Sequence, residues 1–395
     1  MRFLLYSHDG LGLGHVRRNI AIATALTDAA DVNVLLANGA DEVDRLGVPK
    51  SVDVLKLPGV RKTAAEGYAG RHLTVPGSDV RQLRARLLEA AVEGFRPDVL
   101  VADKHPLGVN GELRPALDRL RELGGRAVLG LRDILDDAVA VRRDWAVHDV
   151  QGAIAANHDL VLVYGREAVH DPIAAYGLEA MRGRARYCGY VTMPRRIVDD
   201  LPPFPRRSGR RVVLGTPGGG EDGFALLAAL LEASRGAPWD AVVVTGPQAC
   251  EGDRRALAAL ARDVDATLVP FVPDLCAWFP DVGAVVCMGG YNTLTEAAAA
   301  GVPTVCVPRV MPRTEQLIRA RAFERLGLLQ CVEPGALTPA TLRAAVERAL
   351  LEERKGRAER AGGLLGLNGA KRAAEHLLAR AGRSASTATA TAAAG

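Results

Sequence analysis

The sequence predicts an α/β protein built as two doubly wound parallel-sheet domains, and three observations carry that expectation. Short apolar runs rich in Val, Ile and Leu alternate with longer Ala/Leu/Arg segments of helical period, the order expected of strands connected through helices. Those runs lack strict apolar/polar alternation, as strands covered on both faces should. The pattern stops at MPRRIVDDLPPFPRRSGRR, residues 193–211, where four prolines and six arginines follow no period, and then begins again. At 395 residues the chain has room for two domains of ordinary size.

In the first half, strands are expected at 3–7, 32–38, 52–58, 98–103, 127–133 and 159–165, with a weaker one over 187–191. The second half restarts at 211–218 and continues at 240–247, 267–272, 284–290 and 303–309. The resulting division is an N-terminal domain over 1–195, a linker over 196–210, a C-terminal domain over 211–367 and a helix over 368–382 that crosses back to the first domain. The tail, 383–395, is low-complexity with nothing to bury, and disorder is expected there. Residues 61–79 read as a loop. The segment 80–95 has helical period, with Val80, Leu83, Leu87, Leu88, Ala91, Val92 and Phe95 on one face and Arg81, Arg84 and Arg86 elsewhere. Packing against the N-terminal sheet is the plain reading of this helix, and a peripheral contact with anionic lipid is the alternative.

Composition removes several function classes. A net charge of +4, from 50 basic and 46 acidic residues, gives no global pull toward nucleic acid, and an aromatic share of 4% argues against a base-stacking single-strand binder. Cys188, Cys250, Cys276, Cys287, Cys306 and Cys331 show no C-x-x-C spacing, and four interrupt apolar strand-like runs, so reduced and buried thiols are expected. No His/Cys cluster has zinc spacing, and Asp263-Val264-Asp265 matches a metal-binding D-x-D by chance as easily as by design, so no metal is assigned. No uninterrupted apolar stretch approaches ~18 residues, and the first strand runs directly into a glycine turn, which together predict a cytoplasmic protein.

Four segments can carry chemistry. Ser7-His8-Asp9-Gly10-Leu11-Gly12-Leu13-Gly14-His15 lies between the first strand and its helix, where Gly12 and Gly14 let the backbone turn and His15 can accept a proton from a substrate hydroxyl. Its G-x-G-x-G spacing, with the following strand ending in Ala37-Asn38 and no acidic residue there for a ribose, argues against a nicotinamide site. His8 reads as structural. Asp103 ends a strand and can orient a neighbouring histidine, while Asp133, Asp136 and Asp137 follow another strand and can face acceptor or solvent. The run GTPGGGEDG (215–223) places Gly219 and Gly220 before a helix, where their amides can approach phosphate oxygens. The stretch from Phe271 to Leu328 is the strongest of the four. There Gly289 and Gly290 end a strand, Asn292 or Thr293 is placed to cap the next helix, and Glu296 can reach a ribose diol. Arg309, Arg313, Glu315 and Gln316 follow the next strand as groups for phosphate or sugar hydroxyls.

This ordered set resembles the donor-binding signature of GT-B glycosyltransferases, near glycosyltransferase family 28 with the peptidoglycan N-acetylglucosaminyltransferases, and bacterial members are nearest. The matching positions are Gly289-Gly290, Asn292-Thr293, Glu296, Gly301-Val302-Pro303 and Glu315-Gln316, together with the glycine turn at His15 and Phe271-Val272-Pro273. Two positions depart from the family pattern: Met288 stands where many relatives place His, and Leu11 and Leu13 interrupt the first glycine turn. The resemblance implies two Rossmann-like domains facing across a cleft and a nucleotide-sugar donor, most often a UDP-sugar, with no further cofactor. It also implies inverting, metal-independent transfer to a hydroxyl or amine of a small-molecule or glycan acceptor. By the same resemblance Glu296 binds the ribose, Gln316 lies near the sugar, Phe271 and Val272 flank the base, and Gly219, Gly220, Gly290 and Thr293 hold the diphosphate. His15 or Asp103 then deprotonates the acceptor. A UDP-sugar 2-epimerase of the same fold and a non-catalytic sugar-nucleotide-binding protein are the alternatives.

Overall fold

Strands that are apolar on both faces need helical cover on both sides, and the chain supplies it by alternation. The structure, a computed structural model, describes residues 1–8, 13–41, 43–62, 67–193, 201–205 and 209–392, without the side chains of 44, 45, 62 and 383–392. The chain divides into two units. Unit 1 is Met1–Asp133, Ala138–Met193 and Asn368–Gly395; unit 2 is Ile134–Asp137 and Pro194–Leu367.

Unit 1 opens with β1 (Arg2–Ser7), α1 (Gly14–Ala29), β2 (Asn33–Asn38) and β3 (Val52–Lys56). A short pair, β4 (Val60–Lys62) and β5 (Tyr68–Gly70), precedes α2 (Gly77–Phe95), β6 (Val99–Asp103), α3 (Arg114–Glu122) and β7 (Arg126–Arg132). Then come α4 (Ala138–Val147), α5 (Val150–Asn157), β8 (Leu160–Tyr164), α6 (Pro172–Ala175) and β9 (Ala185–Tyr187). Its seven-stranded sheet has the order β3-β2-β1-β6-β7-β8-β9 with every pairing parallel. The order reverses between β1 and β6, so the segments leaving these two strands emerge side by side. Such a switch point is where open α/β sheets hold ligands.

Unit 2 repeats the plan with β10 (Arg211–Thr216), α7 (Phe224–Ser234), β11 (Trp239–Val244), α8 (Glu251–Asp263), β12 (Thr267–Val269) and β13 (Ala284–Cys287). It continues through α9 (Tyr291–Ala299), β14 (Thr304–Cys306), α10 (Glu315–Arg325), β15 (Gln330–Cys331), α11 (Pro339–Leu351) and α12 (Arg357–Leu365). The six strands run parallel in the order β12-β11-β10-β13-β14-β15, with the reversal between β10 and β13. Each sheet carries its own apolar core, built on Leu4, Leu88 and Leu100 in unit 1 and on Leu230, Val243 and Val346 in unit 2. A last helix, α13 (Gly369–Ala392), packs on α1 within unit 1.

Several local expectations are corrected. Residues 61–79 are not a plain loop: β4 and β5 pair antiparallel, with Val60 opposite Gly70, in strands too short to show a period. The expected strand at 187–191 is β9, which ends where that run begins, and β15 is too short for any pattern. The backbone of the tail is helical as far as Ala392, in keeping with its alanine content and the high helix propensity of alanine. On α2 the buried residues are Val80, Arg84, Leu88 and Val92, whereas Leu83 is exposed. Arg84 therefore belongs to the inward face, because Glu112 lies there to neutralise it: the guanidinium donates to both carboxylate oxygens at 2.6 and 2.7 Å and to the Pro58 carbonyl at 2.6 Å. The Tyr6 hydroxyl donates to the same carboxylate. The cysteines are free, but only Cys188, Cys287 and Cys306 are fully buried; Cys250 is exposed at the start of α8, outside any strand, and Cys276 and Cys331 are partly exposed. Of the linker, 196–200 and 206–208 lie outside the described residues. Within 201–205 the Pro202 carbonyl accepts from the Trp278 indole at 3.0 Å, and the Phe204 ring meets the Trp278 ring edge-on. Among the described residues no helix is long and apolar enough to cross a membrane.

Candidate active site

In unit 1 the switch point brings the start of α1 beside the end of β6. His15 stands in the first turn of α1 and faces Asp103, with Nδ1 3.0 Å from Oδ2. Asp103 is fully buried and His15 is 9% exposed. The Asp103 carboxylate also accepts from Arg18 Nη2 at 2.9 Å on Oδ1 and 2.7 Å on Oδ2. Burial drives the His15 imidazole down to about 4, opposed by Asp103 and reinforced by Arg18 and Lys104. The carboxyl of Asp103 lies at about 2: burial would raise it, but Arg18 and His15 outweigh that. At neutral pH the pair is therefore an uncharged imidazole beside an ionised carboxylate, the state required of a proton acceptor and its orienting partner. The His8 ring sits 5.0 Å from that of His15 and 4.6 Å from that of His105. His8 is buried, and burial first, then His105 and His15, holds it well below the ordinary histidine value. Gly14 is the first residue of α1; Gly12 lies outside the described residues.

In unit 2 the equivalent switch point joins the glycine loop after β10 to the Gly289-Gly290 turn after β13. Gly289 has φ +82°, and a Cβ there would stand 3.1 Å from Cys306 Sγ and 3.2 Å from the Gln316 carbonyl, so glycine is what the turn admits. Gly220 has φ +104°, and a Cβ there would stand 2.4 Å from the Thr245 carbonyl oxygen. The Gly219 carbonyl accepts from the Gln248 amide at 2.9 Å. Thr293 Oγ1 lies 3.8 Å from where a Gly218 Cβ would be, which places the β10 loop against the first turn of α9. The expected cap is corrected here: Gly290 is the N-cap of α9 and no side chain caps it. Asn292 and Thr293 are instead within the first turn, because the extended backbone of Gly290 already lets the helix begin at Tyr291. Glu296 is buried one turn further on.

The loop after β14 is held by a bridge. Arg309 donates to Asp222 Oδ2 at 3.0 Å and to Glu315 Oε1 at 2.9 Å, and its amide donates to Gln316 Oε1 at 3.1 Å. Arg309, Glu315, Gln316 and the glycine loop are thus brought together. Arg313 is half-exposed, its Nε 4.0 Å from Asp136 Oδ2. Asp136 accepts from the Thr314 amide at 2.8 Å and hydroxyl at 3.0 Å, at the start of α10. Val272 is buried and Phe271 partly so. Asp133 is fully buried and Asp137 exposed.

Sequence reasoning missed three residues. Arg18, three positions after His15 on α1, is a helical neighbour of the base candidate that no local pattern marked as buried. Asp222, inside the glycine run, gave no signal that Arg309 would meet it. Arg319 is fully buried and donates to the Gly289 carbonyl at 3.2 Å, its guanidinium 5.7 Å from the Tyr291 ring centroid. Its spacing of four from Glu315 places both on one face of α10. Among the described residues no group of His, Cys, Asp and Glu has the arrangement to hold a metal.

Two parallel-sheet units with paired switch-point loops define the GT-B fold, and known structures agree. The calicheamicin glycosyltransferase CalG4 superimposes with a TM-score of 0.65 at 20% identity, covering 97% of this chain and 98% of its own. The glycosyltransferase VinC in complex with dTDP gives 0.64 at 19% identity, covering 97% and 100%. Residues 227–377 match the glycosyltransferase family 28 C-terminal domain, and the chain resembles that group. The UDP-N-acetylglucosamine--N-acetylmuramyl-(pentapeptide) pyrophosphoryl-undecaprenol N-acetylglucosamine transferase of Lacticaseibacillus casei is 32% identical over 110 residues, 24% of this chain and 30% of that protein. The enzyme of the same name from Phenylobacterium zucineum is 27% identical over 246 residues, 58% of this chain and 66% of that protein. The chain therefore spans about a third of the length of the first curated relatives it matches.

Proposed function

We propose that the protein is an inverting, metal-independent glycosyltransferase that moves a sugar from a nucleoside diphosphate sugar, with UDP the expected nucleotide, to a hydroxyl or amine of a small-molecule or glycan acceptor. The observation that carries this reading is the meeting of two glycine turns in unit 2, at Gly218–Gly220 and Gly289-Gly290, against the first turn of α9. A helix start with no side-chain cap beside a glycine loop suits a diphosphate, since backbone amides and the helix dipole both favour the anion. The UDP-linked activity named for the curated relatives and the dTDP held by VinC support a pyrimidine nucleotide.

In the proposed reaction the acceptor oxygen attacks the anomeric carbon while His15 Nε2 takes its proton, with Asp103 orienting the ring through Nδ1. The bond from the anomeric carbon to the diphosphate oxygen breaks as the new glycosidic bond forms, which inverts the centre. Developing charge on the leaving diphosphate falls on the α9 start and on Arg309, and Glu296 takes the ribose hydroxyls. The test is thermal-shift binding of UDP, GDP, dTDP, ADP and NAD to the wild type and to Glu296→Ala. Selective stabilisation by a pyrimidine diphosphate, lost in the variant, is expected; stabilisation by NAD alone, or by none of the five, overturns the reading.

A further inference from the structure

We propose that Arg18 is a positioning residue that sets the protonation state of His15, because one of its nitrogens engages both Asp103 and the imidazole. Arg18 Nη2 lies 2.7 and 2.9 Å from the two Asp103 oxygens and 3.0 Å from His15 Nδ1, and Asp103 Oδ2 lies 3.0 Å from that same Nδ1. A guanidinium only donates, so toward Arg18 the ring nitrogen must present a lone pair, whereas toward the carboxylate it must present N–H. The two neighbours ask for opposite forms of the ring. Alone, a buried carboxylate would draw a second proton onto His15; Arg18, permanently charged, spends that attraction on itself.

Arg18 is also held in place. It is 3% exposed, on the same helix as His15 at a spacing of three, and its guanidinium lies 5.2 Å from the centroid of the Tyr164 ring. Among the described residues, Lys104 follows Asp103, and His8, with His105 behind it, meets the ring from the β1 side; none of these brings negative charge. Asp103 favours a protonated ring, and after burial Arg18 is the first group that opposes it, followed by Lys104. The bearing on catalysis rests on the reading of His15 as the base; the effect on the ring itself does not.

The test is a pH titration of the full chain labelled with 15N-histidine, followed by long-range 1H–15N correlation spectra, with the His15 signals assigned by their loss in His15→Gln. The wild-type ring is expected to stay neutral well below pH 6. In Arg18→Met its midpoint should rise by roughly one to three units, the size of effect expected of a charge at this range. Arg18→Gln carries the same test if the Met variant does not fold, and Arg18→Lys should restore part of the depression. An unchanged midpoint in the neutral variants overturns the proposal. A shifted midpoint in a protein that transfers no sugar rejects the glycosyltransferase reading and leaves this one standing.

Discussion

His15 and Asp103 are 88 positions apart in the chain and 3.0 Å apart in space, and their chemistry depends on staying dry. Replacing His15 by Gln is expected to lower turnover about 10²–10⁴-fold, the usual contribution of a positioned base, while UDP still stabilises the protein in a thermal-shift assay. Equal loss of nucleotide binding would show that His15 supports the fold and not the reaction. Burial of neutral histidines also sets an acid limit on stability. His15 and His158 both lie near 4, in each case chiefly because burial disfavours the charged ring, and His8 is lowered in the same direction. Their folded values lie below the unfolded value near 6.5, so the unfolded chain binds more protons as pH falls. The stability is complete above about pH 6.5 and is lost between there and about pH 4, at roughly 3 kcal/mol each for His15 and His158. Urea unfolding at pH 7.5, 6 and 5 should show a falling midpoint; a flat profile would contradict the neutral burial of these rings.

Helix α2 and the turn before α9 are decided by single residues within them. Arg84 and Glu112 are both buried, at 0% and 1% exposure, and Tyr6 bonds the same carboxylate. Arg84→Met leaves that carboxylate without its cation, and a loss of about 3–5 kcal/mol is expected by denaturant unfolding. The double variant Arg84→Met/Glu112→Leu should recover most of it, since apolar replacement of a whole buried pair is often neutral. If the double variant is as unstable as the sum of the singles, the pair is not acting as a unit. In the Gly289-Gly290 turn, Gly289→Ala forces a Cβ into a left-handed backbone against Cys306, at about 1–3 kcal/mol, and should weaken UDP binding. Gly290→Ala has nothing within 4 Å of its new Cβ and should leave stability unchanged.

Across the whole chain, unit 1 is discontinuous. Its last segment returns after all of unit 2 has been made, and Ala373, Ala374, Leu377 and Ala381 of α13 are buried in it. Truncation after Leu367 removes this cover, so hydrogen exchange in α1 should speed up while β10–β14 keep their protection. Unchanged exchange in α1 would mean that α13 contributes nothing to unit 1. The α13 backbone continues through alanine-rich sequence as far as Ala392, extending a helix already nucleated by packing.

The order of strands and helices, the break between the halves, the two glycine turns and the candidacy of His15, Asp103 and Glu296 were all legible from residue types and spacing. Those are local properties, written in hydrophobic period and turn chemistry. Only the tertiary structure decided which strands lie side by side. It set β1 against β6 and β10 against β13, and so brought His15 to Asp103 and the glycine loop to α9. It also decided the fate of the arginines: Arg84 read as lying off the apolar face, and Arg18 and Arg319 carried no local signal, yet each is buried beside an oxygen supplied by a distant part of the chain. A charged side chain can leave water only where such a partner waits, and long-range pairing is what no window of sequence displays.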